Sequence, residues 1–528
     1  MGYLEVVDGR FAWPGSRVLF EGISFRVPVG AHVALVGANG VGKTTILRCL
    51  AGEERLTSGQ IKLEGRVGYM RQFVGSFDDG ATVRDFFLSL AEPALRSAGR
   101  RLAHLEDIVH GPHGRVVQLR YADALSAWNE MGGYDEEVLW DTVTTEALGA
   151  GMSSVATRPL ATLSGGEQKR LALEAFWRSD AEVLLLDEPD NFLDIPAKEW
   201  LEHKMNMAKK TILFVSHDRT ILANTADAIV TLEGRDAWTH HGSYGGYAQA
   251  RADRLAKIEE EQRRYNEKHE RIVEQIREFK RRAAMNDKFA SRARSAEKKL
   301  QRFERDAAPR LSPEDQNIKM ELGGGRTGKL ALKVRDLSFP GLVEPFTAEA
   351  HFGERVGVVG ANGTGKSHFL RLLAGEEIEH GGLFKLGARV QPAHFSQLHD
   401  RPDLAGRVPL VGLLRARGLE LGHAMSKLKR YELSRSADLP FSLLSGGQQA
   451  RFQILLMEIA SPTMLLLDEP TDNLDIDSAE ALEVALDHYQ GTVIAVTHDR
   501  WFMLMLDRFL VFNADGSVRE NSESPYLY

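Results

Sequence analysis

Gly37 to Thr44 reads GANGVGKT, and Gly360 to Ser367 reads GANGTGKS. Both satisfy GxxxxGK[ST], a loop whose glycines let backbone N–H groups turn inward and cradle phosphates. The lysine of such a loop neutralises β- and γ-phosphate oxygens, and the hydroxyl after it ligates Mg²⁺. Lys43 with Thr44, and Lys366 with Ser367, occupy those positions. Each loop follows an apolar, strand-like stretch (HVALVG, RVGVVG) and opens a helical one (TTILRCLAG, SHFLRLLAG). That context separates a phosphate loop from a chance match. The nucleotide-binding set is therefore Gly37, Asn39, Gly40, Gly42, Lys43, Thr44 and Thr45 in one loop, and Gly360, Asn362, Gly363, Gly365, Lys366 and Ser367 in the other.

The repetition continues outward from the loops. LSGGEQKR from Leu163 recurs as LSGGQQAR from Leu444, VLLLDEPDNFLD from Val183 as MLLLDEPTDNLD from Met464, and SHDR from Ser216 as THDR from Thr497. Across these motifs the copies stay 281 residues apart, whereas the loops are 323 apart. A fixed offset marks a duplicated unit. The first half therefore carries 42 additional residues ahead of its SGG motif, around LRSAGRRLAHLEDIVHGPHGR. They read as a fuller helical subdomain, with a separate arm as the alternative. Apolar strands alternating with helices in both halves predict an α/β fold of parallel or mixed sheets covered by helices.

Asp187 and Asp468 end apolar strands, where a carboxylate can hold a Mg²⁺ shell. Glu188 and Glu469 follow them, positioned to polarise an attacking water. An isolated Asp-Glu pair is more often a solvated strand end, and the neighbouring loops shift that balance. His217 and His498 each follow the next strand, where an imidazole can reach a γ-phosphate. Gln72 and Gln397, 35 and 37 residues past the start of their loops, are candidates to sense Mg²⁺ and water. Ser164-Gly165-Gly166 and Ser445-Gly446-Gly447 each open a helix and can bind an anion. The plainer reading of each serine is a helix N-cap after a turn.

Composition narrows the class. Apolar residues are 43% and charged residues 27% of 528, as in a globular protein with two ordinary domains. No apolar run approaches the roughly 20 residues of a membrane span. The N-terminal MGYLEVVDGRF lacks the basic and apolar regions of a signal peptide, so a cytoplasmic location is expected. Cys49 is the single cysteine, which excludes an internal disulfide and a Cys-rich metal site.

The net charge of −8 conceals an asymmetry: residues 248–310 carry 19 basic and 12 acidic side chains, leaving −15 for the rest. That segment also changes its period. Leu255, Ile258, Gln262, Tyr265, His269, Ile272, Ile276 and Phe279 fall three and four apart, an a/d seam along a charged helix. Phe289, Ala293, Ala296, Leu300 and Phe303 repeat it after AAMNDK, which predicts an antiparallel helical hairpin. Its first helix, from about Ala248 to Arg282, spans on the order of 50 Å. GGGRTGK from Gly323 reads as a flexible joint. The outer half of the hairpin, Arg277 to Arg305, holds 11 basic residues against four acidic ones. Arg277, Lys280, Arg281, Arg282, Lys288, Arg292, Arg294, Lys298 and Lys299 are its candidate RNA contacts.

Taken together, these motifs resemble those of ATP-binding-cassette ATPases over both halves. The resemblance implies two P-loop cassettes that close head to tail around two ATP molecules with Mg²⁺. One site would combine Lys43, Thr44, Gln72, Asp187, Glu188 and His217 with Ser445, Gly446 and Gly447. The other would combine Lys366, Ser367, Gln397, Asp468, Glu469 and His498 with Ser164, Gly165 and Gly166. Trp13 stands where the family stacks an aromatic on adenine, with Phe339 as a weak counterpart in the second half. The hairpin, the two HDR sequences and the EP-x-x-x-LD segments resemble the ABC-F branch. That branch implies residues 1–246 as one ATP-binding cassette, 247–325 as an RNA-facing hairpin linker and 326–528 as a second cassette. It also implies action on the ribosome, against rRNA and P-site tRNA, as a monomer through intramolecular cassette pairing. The roles in that branch are translation factor and antibiotic-resistance (ribosome-protection) protein, and the short hairpin tip points to the first. The alternative is the energy module of a transporter with a separate membrane partner. Asp190 and Phe192 depart from the usual Thr and His, and are expected to alter communication at one cassette interface.

Overall fold

The computed structural model describes residues 2–15, 18–71, 80–109, 115–283, 287–306, 318–396, 404 and 406–526. The two halves repeat one architecture. A three-stranded antiparallel sheet (Val18–Val27, Tyr3–Ala12, Ser58–Glu64, in that order across the sheet) has its counterpart in Val343–His351, Leu330–Phe339 and Gly381–Leu386. The main sheet of the first half runs Val67–Met70, Val183–Asp187, Thr211–Val215, His32–Gly37, Ala228–Glu233, Asp236–His241. The second repeats that order with Pro392–Phe395, Met464–Asp468, Thr492–Val496, Arg355–Gly360, Arg508–Phe512 and Val518–Asn521. All neighbours in these sheets are parallel except the last pair. One face packs against helices and the other against the helix after the phosphate loop together with the antiparallel sheet, so the central strands are buried throughout and read as continuous apolar runs.

This topology puts the phosphate loops at the carboxyl ends of the central strands, where ligands bind in open α/β sheets. Gly37 must turn there with φ 147°, and a Cβ on it would stand 2.4 Å from the Leu232 carbonyl oxygen. Only glycine fits.

Most of the 42 additional residues of the first half lie in the helices Pro93–Val109 and Arg115–Glu130, which have no counterpart among the described residues of the second. Leu95, Leu102, Leu105, Ala124 and Trp128 bury their apolar face in the same core as Phe87 and Trp140. The insertion is thus a fuller helical subdomain rather than a detached arm.

Between the cassettes, helices Tyr247–Ala283 and Asp287–Asp306 pack antiparallel. The predicted seam meets itself: Ile272, Ile276 and Ala296 are buried with Phe279, Leu300 and Phe303, and Tyr265 stacks on Phe303 at 4.8 Å. At about 1.5 Å per residue the first helix is roughly 55 Å long. Neither helix, nor any other among the described residues, is long and apolar enough to cross a membrane. The joint near Gly323 is packed: a Cβ on Gly324 would meet Tyr489 at 2.8 Å. Just ahead of it, Ile318, Met320 and Leu322 bury in the second cassette's core.

Candidate functional site

The two cassettes meet along a cavity of about 910 Å³. Trp13, Lys43, Thr44 and Thr45 line it together with Ser445, Gly446 and Gly447 from the opposite cassette, and Asn362, Gly363 and Ser367 with Ser164, Gly165 and Gly166. Phosphate-loop and SGG residues of both cassettes thus share one cavity, as a head-to-tail arrangement requires. Phe339 is buried in the core beside His368 and does not join it. Gln72 and Gln397 lie outside the described residues.

Both phosphate-loop lysines are buried and curl over their own loops. Lys43 Nζ donates to the carbonyls of Gly37 and Ala38 at 2.7 and 3.1 Å, and Lys366 Nζ to those of Gly360 and Ala361 at 2.8 and 2.7 Å. Burial lowers both ammonium groups from their ordinary range. An anion in the loop would favour the charged form.

Asp187 is fully buried beside the Thr44 hydroxyl, and among the described residues neither of its carboxylate oxygens has a hydrogen-bond partner within 3.5 Å. Asp468 accepts from the Ser367 hydroxyl at 3.2 Å. Burial, then the adjacent glutamate charge, pushes each aspartate up to about 6. A buried carboxylate beside a loop hydroxyl, short of donors, is a donor set suited to a hard divalent cation. Glu188 and Glu469 come next, at φ 50° and 49°. Non-glycine residues in this region carry strain of order 1–3 kcal/mol, retained where function needs the geometry.

The two histidines differ. Both are neutral: burial and then Lys43 push His217 down to about 3, and burial and then Lys366 hold His498 well below its ordinary value. His498 Nε2 contacts Asn362 Oδ1 at 3.2 Å, and its backbone N–H donates to Glu469 Oε2 at 2.9 Å. Among the described residues, both buried ring nitrogens of His217 and Nδ1 of His498 have no hydrogen-bond partner.

Ser164 and Ser445 do cap their helices, accepting from Glu167 N–H and Gln448 N–H in capping boxes. The same helix starts face the opposite phosphate loops. A Cβ on Gly447 would stand 2.3 Å from Asn39 Nδ2, and one on Gly166 would stand 3.8 Å from Asn362 Nδ2. The two readings of these serines are thus compatible.

Several interface residues escaped the sequence reading. Asp475 uses Oδ1 to cap its own helix through Ser478 N–H and Oδ2 to accept from Asn39 N–H at 2.9 Å. Asp194 does the same toward Ala197 and, at 3.1 Å, toward Asn362 N–H. Asn39 and Asn362 side chains donate to the carbonyls of Asn473 and Phe192 at 2.9 and 3.1 Å. Ile195 is buried among Val359, Met503, Phe509 and Val511 of the other cassette. The signal was present in the repeat, since Asp194 and Asp475 keep the 281-residue offset.

Arg277, Lys280, Arg281, Arg282, Arg292, Arg294, Lys298 and Lys299 are exposed on the hairpin, far along the chain from the cavity residues. Lys280 pairs with Glu297 and Arg282 with Glu278, whereas Arg281, Arg294, Lys298 and Lys299 form no ion pair among the described residues. The Lys288 side chain lies outside the description.

Comparisons with known proteins agree with this geometry. A family model described as "ABC transporter" matches residues 20–191 and 343–472, and another so described matches 230–320. An "Antibiotic resistance protein" of Mycobacteroides abscessus is 46% identical, with all of both chains covered. "ABC transporter F family member 5" of Arabidopsis thaliana is 30% identical over 97% of this chain and 75% of its own. "Energy-dependent translational throttle protein EttA" of Mycobacterium tuberculosis is 29% identical, covering 93% and 87%. Two cassettes joined by a helical hairpin, the two matched ABC transporter regions and an F-family relative 30% identical over 97% of this chain make it a member of the ABC-F family and an ATP hydrolase.

Proposed function

We propose that this chain acts on the ribosome in the cytoplasm as a monomer, its cassettes closing around two ATP molecules and reopening after hydrolysis. The observation that carries this reading is the one-sided charge of the hairpin's outer half. Exposed arginines and lysines there, several without acidic partners, suit the phosphate backbone of rRNA and P-site tRNA, recognised by shape and charge. The names of the full-length relatives, one a translational throttle and one an antibiotic-resistance protein, agree with it.

At each site the phosphate loop binds the β- and γ-phosphates, and the serine and two glycines of the other cassette close over the γ end. Thr44 with Asp187 and Ser367 with Asp468, together with Gln72 and Gln397, would hold Mg²⁺, which neutralises phosphate charge. Glu188 and Glu469 orient the attacking water and take up its proton. The neutral His217 and His498 each offer an N–H to the γ-phosphate. Trp13 stacks on adenine in the first site.

Reversing Arg281, Arg282, Arg292 and Arg294 to Glu in a Glu188→Gln/Glu469→Gln protein tests the ribosomal claim. ATP binding is expected to persist while co-sedimentation with ribosomes is lost. Ribosome binding unchanged at physiological salt would make the hairpin a spacer, and co-sedimentation with membranes would favour a transporter module instead. The name of the 46%-identical relative favours an antibiotic-resistance role over the translation-factor role that the short tip suggests. Expression in a susceptible host should then raise the inhibitory concentration of a ribosome-targeting drug.

A further inference from the structure

The helix Ile195–Met207 of the first cassette carries a buried lysine with no counterpart in the second. Lys198 Nζ lies 3.0 Å from Asp218 Oδ2 of its own cassette and donates at 3.2 Å to the backbone carbonyl of His498 in the other. The carboxylates of Asp472, from the second cassette, and Asp190 also face it. At the 281-residue offset, Lys198 corresponds to Ala479 and Asp190 to Thr471. The cation and its added carboxylate therefore sit on one side of the interface only. The histidines differ as well: His498, whose carbonyl Lys198 holds, contacts Asn362 through Nε2 and Glu469 through its backbone N–H, with Nδ1 unpartnered, while among the described residues neither His217 ring nitrogen has a hydrogen-bond partner.

We propose that Lys198 is a positioning residue acting in trans, which orders the His498 loop when the cassettes close and so makes the site of Lys366, Glu469 and His498 the better assembled of the two. An ammonium group is strongly hydrated, and burying it requires acceptors on every side. With the cassettes apart, Asp472 and the His498 carbonyl are withdrawn and water takes their place. Closure returns them, and the Lys198 hydrogen bond then restrains the segment whose N–H holds the Glu469 carboxylate. At the other site Ala479 offers no such restraint. The asymmetry is built into the chain rather than imposed by a ligand.

The inference rests on the glutamate assignments above, so each site is isolated by silencing the other. In a Glu188→Gln background, Lys198→Met should lower kcat for ATP about tenfold, with KM changed by less than about twofold, because a displaced catalytic group costs rate rather than binding. Lys198→Arg should restore part of the loss. In a Glu469→Gln background, Lys198→Met should change kcat by less than about twofold. Removing a buried cation among carboxylates can unfold a protein, so Asp190→Thr/Lys198→Ala, which imports the second cassette's own pair, provides a charge-balanced variant with the same expected asymmetry. Equal losses in both backgrounds, or none in either, would make Lys198 a structural counter-ion and overturn the proposal. Undiminished turnover in the Glu188→Gln/Glu469→Gln protein would instead overturn the glutamate assignment itself, and the two failures are thereby told apart.

Discussion

Arg251, in the second turn of the hairpin's first helix, is bonded to Asp477 of the second cassette. Its guanidinium donates to both carboxylate oxygens, at 2.5 and 3.0 Å, while its Nε donates to Glu233 of the first cassette at 2.6 Å. Asp477 lies two residues past Asp475, which binds the first phosphate loop through Asn39. Arg219 and Glu483 form a parallel pair nearby, with Arg219 stacked 5.1 Å over Trp501. The root of the stalk is thus held by both cassettes at once, so closure and stalk angle are mechanically linked.

Arg251→Ala should separate the two. Hydrogen bonds between charged groups contribute about 1.5–3 kcal/mol, enough to weaken the link without dissolving either cassette. ATP turnover is expected to stay within about threefold of the parent, while the difference in ribosome affinity between ATP-trapped and ADP states shrinks. Co-sedimentation in both nucleotide states measures it, and an unchanged difference would refute the link.

Glu188→Gln with Glu469→Gln should leave ATP binding intact and reduce turnover at least about 100-fold, since only the water-activating carboxylates are lost. Lys43→Ala or Lys366→Ala should act on the other quantity, weakening nucleotide binding. Equilibrium binding of a fluorescent ATP analogue and steady-state hydrolysis distinguish the two classes.

Composite construction predicts damage at a distance in sequence. Ser445→Arg, in a Glu469→Gln background that leaves the Lys43 site alone active, should suppress the remaining hydrolysis. An isolated first cassette ending at Gly246 should not reach the full per-site rate as a monomer. Full activity in either case would contradict sharing of the site.

Asp187 and Asp468, pushed up to about 6 by burial and then by their glutamate neighbours, predict a pH-dependent metal requirement. Above that value the carboxylates are ionised and bind the cation; below it a proton competes. The Mg²⁺ concentration needed for half-maximal binding of a fluorescent ADP analogue should rise severalfold from about pH 7.5 to about pH 5.5. Replacing both aspartates by asparagine should remove that dependence.

The phosphate loops, the strand-end Asp-Glu pairs, the duplicated order of elements and the hairpin seam were all legible in the sequence. Each depends on residues close together in the chain, where a glycine at a fixed step or an apolar residue every third and fourth position has one physical reading. The tertiary structure alone decided what lies across the interface. Asn39 meets Asp475 over 436 positions, and Lys198 meets His498 over 300. It also showed that Ser164 and Ser445 cap helices whose starts face the opposite phosphate loops, and that the two extra helices of the first half pack into its core. No local pattern encodes such pairings. His217 and His498 occupy identical motif positions, yet His498 Nε2 contacts Asn362 of its own cassette while, among the described residues, neither ring nitrogen of His217 has a partner, because hydrogen bonding depends on how neighbouring side chains settle in three dimensions.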